Sequence, residues 1–326
     1  MPENAKQDYL IGVDLGGTKI LAGVFDARLK CVGRTKLTTK AERGADGVIE
    51  RIVRAVKEAI DECDLTLKQV RGLGIGSPGS IDQENGRVIF AGNLGWKDVP
   101  LRKELEKQLD VPVFVDNDCK VATRGIFEAE YGGKPQSLVG VFLGTGIGGG
   151  LVLDGKLYTG MNYTAGELGH MIIDVNGPKC TCGNNGCFEA LASRTAIFRR
   201  IKDAVKAGEK TVLVEMLGED LDGLRSGDLR RALKRGDKLT EKVIRQAAEY
   251  TGIAVSNLVN ILNPQFVVLG GGIMEQLADE LLPTIVKVAK EHAFSNAIKG
   301  LEIRATELGD DAGITGGAVL ARARLK

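Results

Sequence analysis

The sequence predicts a two-lobed α/β protein built from a duplicated strand–turn–strand unit, with a metal-binding knuckle in its second half. Three observations carry this reading. Short apolar runs alternate with amphipathic helical segments along the whole chain, the pattern of sheets flanked by helices. A turn after a strand, Asp14-Leu15-Gly16-Gly17-Thr18, returns about 130 residues later as Leu143-Gly144-Thr145-Gly146-Ile147. Three cysteines and one of the chain's two histidines fall together between positions 170 and 187.

Taken in order, residues 9–14 (YLIGVD) read as a buried strand, and 20–25 and 32–37 continue as strands after the first turn. Residues 45–62 carry apolar side chains at 48, 49, 52, 53, 56 and 60, the spacing of one helix face. A strand follows at 70–75, a short helix at 100–109, a strand at 112–115 and a helix at 119–130. The pattern then restarts with a strand at 138–143, a glycine turn over 144–150 and a returning strand at 151–153. Helices are expected at 193–207, 240–262, 273–291 and 312–324, and strands at 266–269 and 301–305. Residues 208–239 are polar and weakly periodic, which suggests short surface helices.

Composition narrows the function classes. The chain has 326 residues, 43% of them hydrophobic, and a net charge of +1, so neither nucleic acid nor an acidic membrane is implied as main partner. No apolar run approaches the length of a membrane span, and residues 1–8 lack the hydrophobic core of a signal peptide. Six cysteines in such a chain favour reduced thiols and metal over a disulfide framework, and the cytoplasm is the expected location.

The duplicated turns suit phosphate. Without a Cβ, backbone N–H groups can approach phosphate oxygens closely, and two such turns facing each other would clasp a polyphosphate from both sides. Gly16, Gly17, Gly144 and Gly146 supply the turns, Thr18 and Thr145 add hydroxyls, and Lys19 adds charge. Asp14, ending its strand, suits Mg2+ held through water. Neither a GxxxxGK[ST] loop nor a convincing GxGxxG turn is present. A third glycine run, through Gly271 and Gly272, follows strand 266–269 and opens a helix; a nucleotide face and a plain packing turn explain it equally well.

His170, Cys180, Cys182 and Cys187 form a Cys3His set that can close a tetrahedral structural zinc site. Glycines at 183 and 186 give the turns that fold the thiols onto one ion. The alternative is a disulfide with a third, unrelated thiol. Asp116-Asn117-Asp118, between a strand and a helix, reads by itself as a capping turn.

Taken together, Asp14 to Lys19, Gly76-Ser77-Pro78-Gly79, Asn117-Asp118, Leu143 to Gly150, Ala165-Gly166-Glu167-Leu168-Gly169-His170 and Cys180 to Glu189 resemble the ROK family of sugar kinases, its glucokinases in particular, from about Tyr9 onward. The resemblance implies the actin-like, hexokinase-like ATPase fold, a duplicated β-β-β-α-β-α unit. The smaller lobe is expected over 1–118 plus 311–326 and the larger, with the zinc knuckle, over 119–310. It implies ATP-dependent phosphorylation of a hexose at its 6-hydroxyl with Asp118 as general base, and ATP, Mg2+ and structural Zn2+ as cofactors. Gly79, Asn93, Asn117, Asp118, Glu167, His170 and Glu189 are then expected at the sugar, and His170, Cys180, Cys182 and Cys187 at zinc. Sugar binding is expected to close the lobes, and a homo-oligomer, dimer or tetramer, is implied.

Within the family, an N-acetylhexosamine kinase or a fructokinase is the alternative to a glucokinase. The family's sugar-responsive repressors form a different class; with the first strand near residue 9, the sequence leaves no room for their N-terminal DNA-binding domain. The chain departs from the family where Cys119-Lys120-Val121-Ala122 follows Asn117-Asp118 in place of small residues and an asparagine. Asp116 stands where glutamate is common. Cys119 beside the base reads as a buried thiol, with alkylation sensitivity as the functional alternative, while Cys31, Cys63 and Trp96 read as packing.

Overall fold

The computed structural model describes residues 9–325. The chain forms two compact units. The first comprises the described residues up to Gln136, Gly150–Gly166, and those from Asp310 onward; the second comprises Ser137–Gly149 and Glu167–Gly309.

In the first unit, β1 (Tyr9–Leu15), β2 (Lys19–Phe25) and β3 (Cys31–Thr38) form an antiparallel meander. Helix α1 (Gly44–Asp61) leads to β4 (Val70–Ser77), and then come β5 (Ser80–Asp82), β6 (Arg87–Ala91), β7 (Trp96–Val99) and α2 (Leu101–Leu109). Strand β8 (Val113–Asn117) runs directly into α3 (Asp118–Ala129). The main sheet has the order β3-β2-β1-β4-β8, with β4 parallel to β1 and to β8. Position in the sheet explains the sequence. Central β1 is buried along most of its length and reads as one apolar run, whereas edge strand β3 alternates. Helix α1 lays Val48, Ile49, Ile52, Val56 and Ile60 on β2 and β3.

The opposite face of β1 and β4 is covered by α10 (Asp311–Arg324), whose residues from Ala312 to Ala321 are all buried. Close approach of backbones accounts for its small side chains. A Cβ built on Gly12 would lie 1.7 Å from the Ile314 oxygen, and one on Gly74 would lie 2.0 Å from the Gly317 oxygen. Helix α3 touches α10 in the same way, since a Cβ on Gly125 would meet the Ala312 oxygen at 2.3 Å. This packing puts α3 in the first unit, whereas a boundary at 118/119 assigns it to the second lobe. Strands β5 to β7 form a small antiparallel sheet that sequence reading does not mark, because each is five residues or shorter. Trp96, at its end, is 2% exposed and serves packing, as expected.

The second sheet repeats the topology. Strands β9 (Ser137–Leu143), β10 (Ile147–Leu153) and β11 (Lys156–Tyr158) stand beside β12 (Phe266–Gly270) and β13 (Glu302–Ala305) in the order β11-β10-β9-β12-β13. β12 is parallel to both β9 and β13. The glycine turn is shorter than 144–150, because β10 already begins at Ile147. Gly149 instead makes space within the strand: a Cβ there would lie 2.3 Å from Leu168 Cδ1. Helices α4 (Phe188–Ala192), α5 (Arg194–Lys206), α6 (Val212–Leu217), α7 (Ser226–Lys234), α8 (Lys238–Leu262) and α9 (Gly272–His292) lie in the second unit. The short α6 and α7 fill the segment expected to hold surface helices. No helix among the described residues is long and apolar enough to cross a membrane.

Candidate active site

In the first unit, the carboxyl ends of three parallel strands bring the predicted residues to one sheet edge. Asp14 on β1 is paired in register with Gly76 on β4, Gly76 with Asp116 on β8, and Ser77 with Asn117. Ligands of open α/β sheets lie beyond such strand ends. The β1–β2 turn is tethered at its base: Gly16 N–H donates to the Lys19 oxygen at 2.9 Å, and the Thr39 hydroxyl donates to the Gly16 oxygen at 2.7 Å. Thr39 N–H donates to the Thr18 oxygen at 3.0 Å. Asn93 lies over this turn; a Cβ on Gly17 would stand 3.3 Å from its Nδ2. Lys19 has a partner that sequence reading did not name, an ion pair with Asp310, which Lys36 also approaches at 3.3 Å.

Asn117 caps α3, its Oδ1 accepting from the amides of Cys119 and Lys120 at 3.1 and 3.2 Å. Its Nδ2 donates to the Gly79 oxygen at 3.2 Å, so Asn117 and Gly79 are brought together. Asp118 is the first helical residue, and its Oδ1 accepts from Cys119 N–H at 2.8 Å. The capping turn read from sequence is therefore present, with Asn117 as the cap. Beneath it Asp116 is buried and accepts from Gln83 Nε2 and Asn117 N–H, both at 2.7 Å. Burial pushes its carboxyl up, opposed by the Asn117 N–H, the Lys120 and Arg124 charges and the Gln83 amide.

In the second unit, the β9–β10 turn closes with Gly144 N–H donating to the Gly146 oxygen at 2.9 Å. The start of α5 clasps it. Arg194 N–H donates to the Gly144 oxygen at 2.9 Å, and the Thr195 hydroxyl donates to the Thr145 oxygen at 2.7 Å. The Arg194 guanidinium donates to Thr145 Oγ1 at 2.5 Å. Burial lowers the Arg194 pKa from its ordinary value. Sequence reasoning missed Arg194 and Thr195; the only signal was an N-cap serine, Ser193, just before two polar residues. Glu189 Oε2 accepts from Ile147 N–H at 2.8 Å, so this carboxylate braces the turn. Gly270, at the end of β12, pairs with Phe142 on β9, which puts Gly271 and Gly272 beside the turn. Gly271 has φ 89°, and a Cβ there would lie 2.6 Å from the Leu143 oxygen; α9 begins one residue later. Its N-terminal N–H groups suit an anion. Glu167 immediately precedes a 3-10 turn, Leu168–His170, that presents His170.

His170, Cys180, Cys182 and Cys187 offer four donor atoms that all lie within 4.8 Å of one another. Cys180 Sγ is 3.7 Å from His170 Nδ1, and Cys182 Sγ is 3.6 Å from Cys187 Sγ. Thiolates sharing one tetrahedral zinc stand about 3.8 Å apart at the usual Zn–S length, and an imidazole nitrogen slightly closer, so donor set and spacing fit that ion. All six cysteines are free thiols, which leaves the disulfide alternative without support. The backbone explains the fold of the knuckle. Cys180 N–H donates to the Asn184 oxygen at 2.8 Å and Gly186 N–H to the Pro178 oxygen at 2.9 Å. Gly186 has φ 68°, and a Cβ on it would stand 1.5 Å from the Asp174 oxygen. Cys187 is buried, and burial and the neighbouring thiols push it up to about 12. Exposed Cys182 is lowered, chiefly by a backbone hydrogen bond at Asn184. Glu189 Oε1 lies 4.0 Å from Cys180 Sγ, linking the knuckle to the β9–β10 turn.

Two five-stranded sheets of identical order, each bearing a glycine turn at a β-hairpin, define a hexokinase-like α/β protein. The chain belongs to the ROK family, whose model matches residues 10–324. It is 36% identical over 321 residues to a glucokinase from Thermotoga maritima, covering 97% of this chain and 98% of that one. It is 34% identical over 316 residues to a glucokinase from Halalkalibacterium halodurans, covering 96% and 95%. A xylose repressor from Caldicellulosiruptor bescii is 31% identical over 94% of this chain and 76% of its own length. Among solved structures, a ROK family glucokinase from Streptomyces griseus in complex with glucose and AMPPNP superposes with a TM-score of 0.84 at 31% identity, over 97% of this chain and 99% of that one.

Proposed function

We propose that this protein is an ATP-dependent sugar kinase that phosphorylates glucose at its 6-hydroxyl. The observation that carries the reading is the edge formed by β1, β4 and β8, where Asp14, Gly76 and the Asp116-Asn117-Asp118 turn stand side by side. Relatives named glucokinases, similar along almost their whole length, support it. Phosphoryl transfer relies on positioning and electrostatics more than on covalent help. Asp118, at the start of α3, accepts the proton of the sugar's primary hydroxyl as that oxygen attacks the γ-phosphorus in line, and the bond to the β–γ bridging oxygen breaks to release ADP. Asn117 holds the helix start and Gly79 in place, and Asn93, Glu167, His170 and Glu189 complete the sugar wall. Carboxylates and amides suit vicinal hydroxyls, which both donate and accept. Gly16, Gly17, Thr18 and Lys19 from one turn, and Gly144, Thr145 and Gly146 from the other, receive the phosphates; Gly271 and Gly272 take the nucleoside side. Asp14 would hold Mg2+ through water, an ion that neutralises phosphate charge.

His170, Cys180, Cys182 and Cys187 would hold zinc as a closed structural site, which braces the pocket wall and does no chemistry. The protein works in the cytoplasm, and it assembles as a homo-oligomer. A coupled assay with ATP and a panel of hexoses and hexosamines tests the proposal. Glucose should give the highest kcat/KM and should stimulate ATP turnover. Preference for N-acetylglucosamine, N-acetylmannosamine or fructose would replace glucose within the same chemistry. The xylose repressor likeness favours a second reading, a sugar-responsive regulator; sugar binding without any phosphoryl transfer would select it.

A further inference from the structure

Lys120 lies two residues beyond the proposed base and is only 2% exposed. Burying an ammonium is costly unless opposite charge and acceptors surround it. Here both are present. Buried Asp116 lies within electrostatic reach of Lys120, and the Lys120 ammonium donates to the carbonyl of Tyr163. Tyr163 sits in the loop between β11 and Glu167 and holds a left-handed backbone, with φ 57°. Its hydroxyl donates to Glu84 Oε1 at 3.0 Å, and the loop is closed behind it by Ala165 N–H donating to the Thr159 oxygen at 2.9 Å. Glu167 follows Ala165 by two residues. The loop is thus tied at its middle to the helix that begins with Asp118.

We infer that Lys120 is a positioning residue, a strut from the first turn of α3 to the 159–166 loop that fixes the approach of the chain to Glu167. Asp116 balances its charge and is itself held by Gln83 and the Asn117 amide. One buried cation therefore coordinates the start of the base-bearing helix with the segment leading to the sugar wall. The functional half of the inference rests on the proposed sugar-kinase reading; the structural half does not.

The test compares wild type with Lys120→Met, an unbranched apolar side chain that removes the donor. Hydrogen exchange of the Ala165 amide should accelerate about tenfold, as expected for loss of a buried charge-assisted hydrogen bond. The KM for hexose should rise about tenfold while the KM for ATP stays within about twofold. Should Lys120→Met fail to fold, Lys120→Gln, which keeps a donor on a shorter arm, carries the same comparison with smaller changes. Unchanged exchange at Ala165 in a folded variant overturns the strut. Accelerated exchange with an unchanged hexose KM overturns its role in positioning, as does an equal rise in both KM values. If the wild type phosphorylates no hexose, the kinase reading falls, and the exchange comparison still decides the strut.

Discussion

Asp118 is placed by a single turn: β8 ends at Asn117, the amide of Asn117 is held by Asp116, and the side chain of Asn117 caps the helix that Asp118 begins. An Asp118→Asn substitution keeps this geometry, because asparagine can accept from Cys119 N–H as the carboxylate does. We expect kcat to fall about 10²–10⁴-fold with zinc content and melting temperature unchanged, measured by steady-state kinetics and metal analysis. Near-normal turnover would refute its role as base. Gly186 is the corresponding residue of the knuckle. Gly186→Ala forces a left-handed alanine, costing about 1–2 kcal/mol, and drives its methyl into the Asp174 carbonyl. Zinc stoichiometry and melting temperature should both drop. Gly183→Ala is also strained at its positive φ of 97° but meets no neighbour within 4 Å, so it should retain its metal.

At this scale, residue types and spacing made the Cys3His cluster and the glycine turns legible. The partners were not legible. That Lys19 pairs with Asp310, that Glu189 accepts from Ile147, and that Arg194 reaches Thr145 all depend on contacts between residues 42 to 291 positions apart. No local pattern encodes such contacts.

Among the elements, α8 shows how a long helix is started. Asp237 caps it, Oδ1 accepting from Thr240 N–H and Oδ2 from Val212 N–H, both at 2.7 Å. Burial alone would raise this carboxyl, but the backbone hydrogen bonds from Thr240 and Val212 hold it below its usual value. A group more acidic in the folded than the unfolded protein stabilises above its unfolded pKa of about 3.9, and the contribution is lost as pH falls through the folded value. Asp237→Asn should keep the bond from Thr240 N–H but lose the one from Val212 N–H, lowering stability at neutral pH, and should flatten the loss of stability on acidification below about pH 4. Asp237→Ala should cost about 1 kcal/mol at neutral pH. Urea unfolding across that pH range checks both. Periodicity marked α8 and the central strands because packing imposes it on long elements. Strands β5 to β7 and β11, with three to five residues each, are too short to show alternation, and the five-residue α4 spans barely more than one turn.

For the molecule as a whole, the repeated strand order was the most legible property, since each half carries its turn at the same point of the same topology. The division into units was less so. Helix α3 follows β8 in sequence, but its partner α10 comes from the far end of the chain, and only the fold shows that both belong with β1 and β4. A prediction at this scale concerns the knuckle. Removing zinc with a chelator should weaken hexose binding about tenfold or more before the helical content changes, because a closed metal site contributes to local order through its ligands. Calorimetric titration with hexose beside far-ultraviolet circular dichroism separates the two events, and normal hexose affinity in metal-free protein would reject the coupling.

The bed of glycines on which α10 rests bears on how the polypeptide matures. Residues 167–309 have all been synthesised before the helix that seals β1 and β4 is made. Strands β1 and β4 must therefore wait, one apolar face uncovered, for a segment more than 230 residues downstream of β4 to arrive. Between these elements translation order and assembly order are widely separated, and the interval in which the apolar face stays uncovered is open to aggregation.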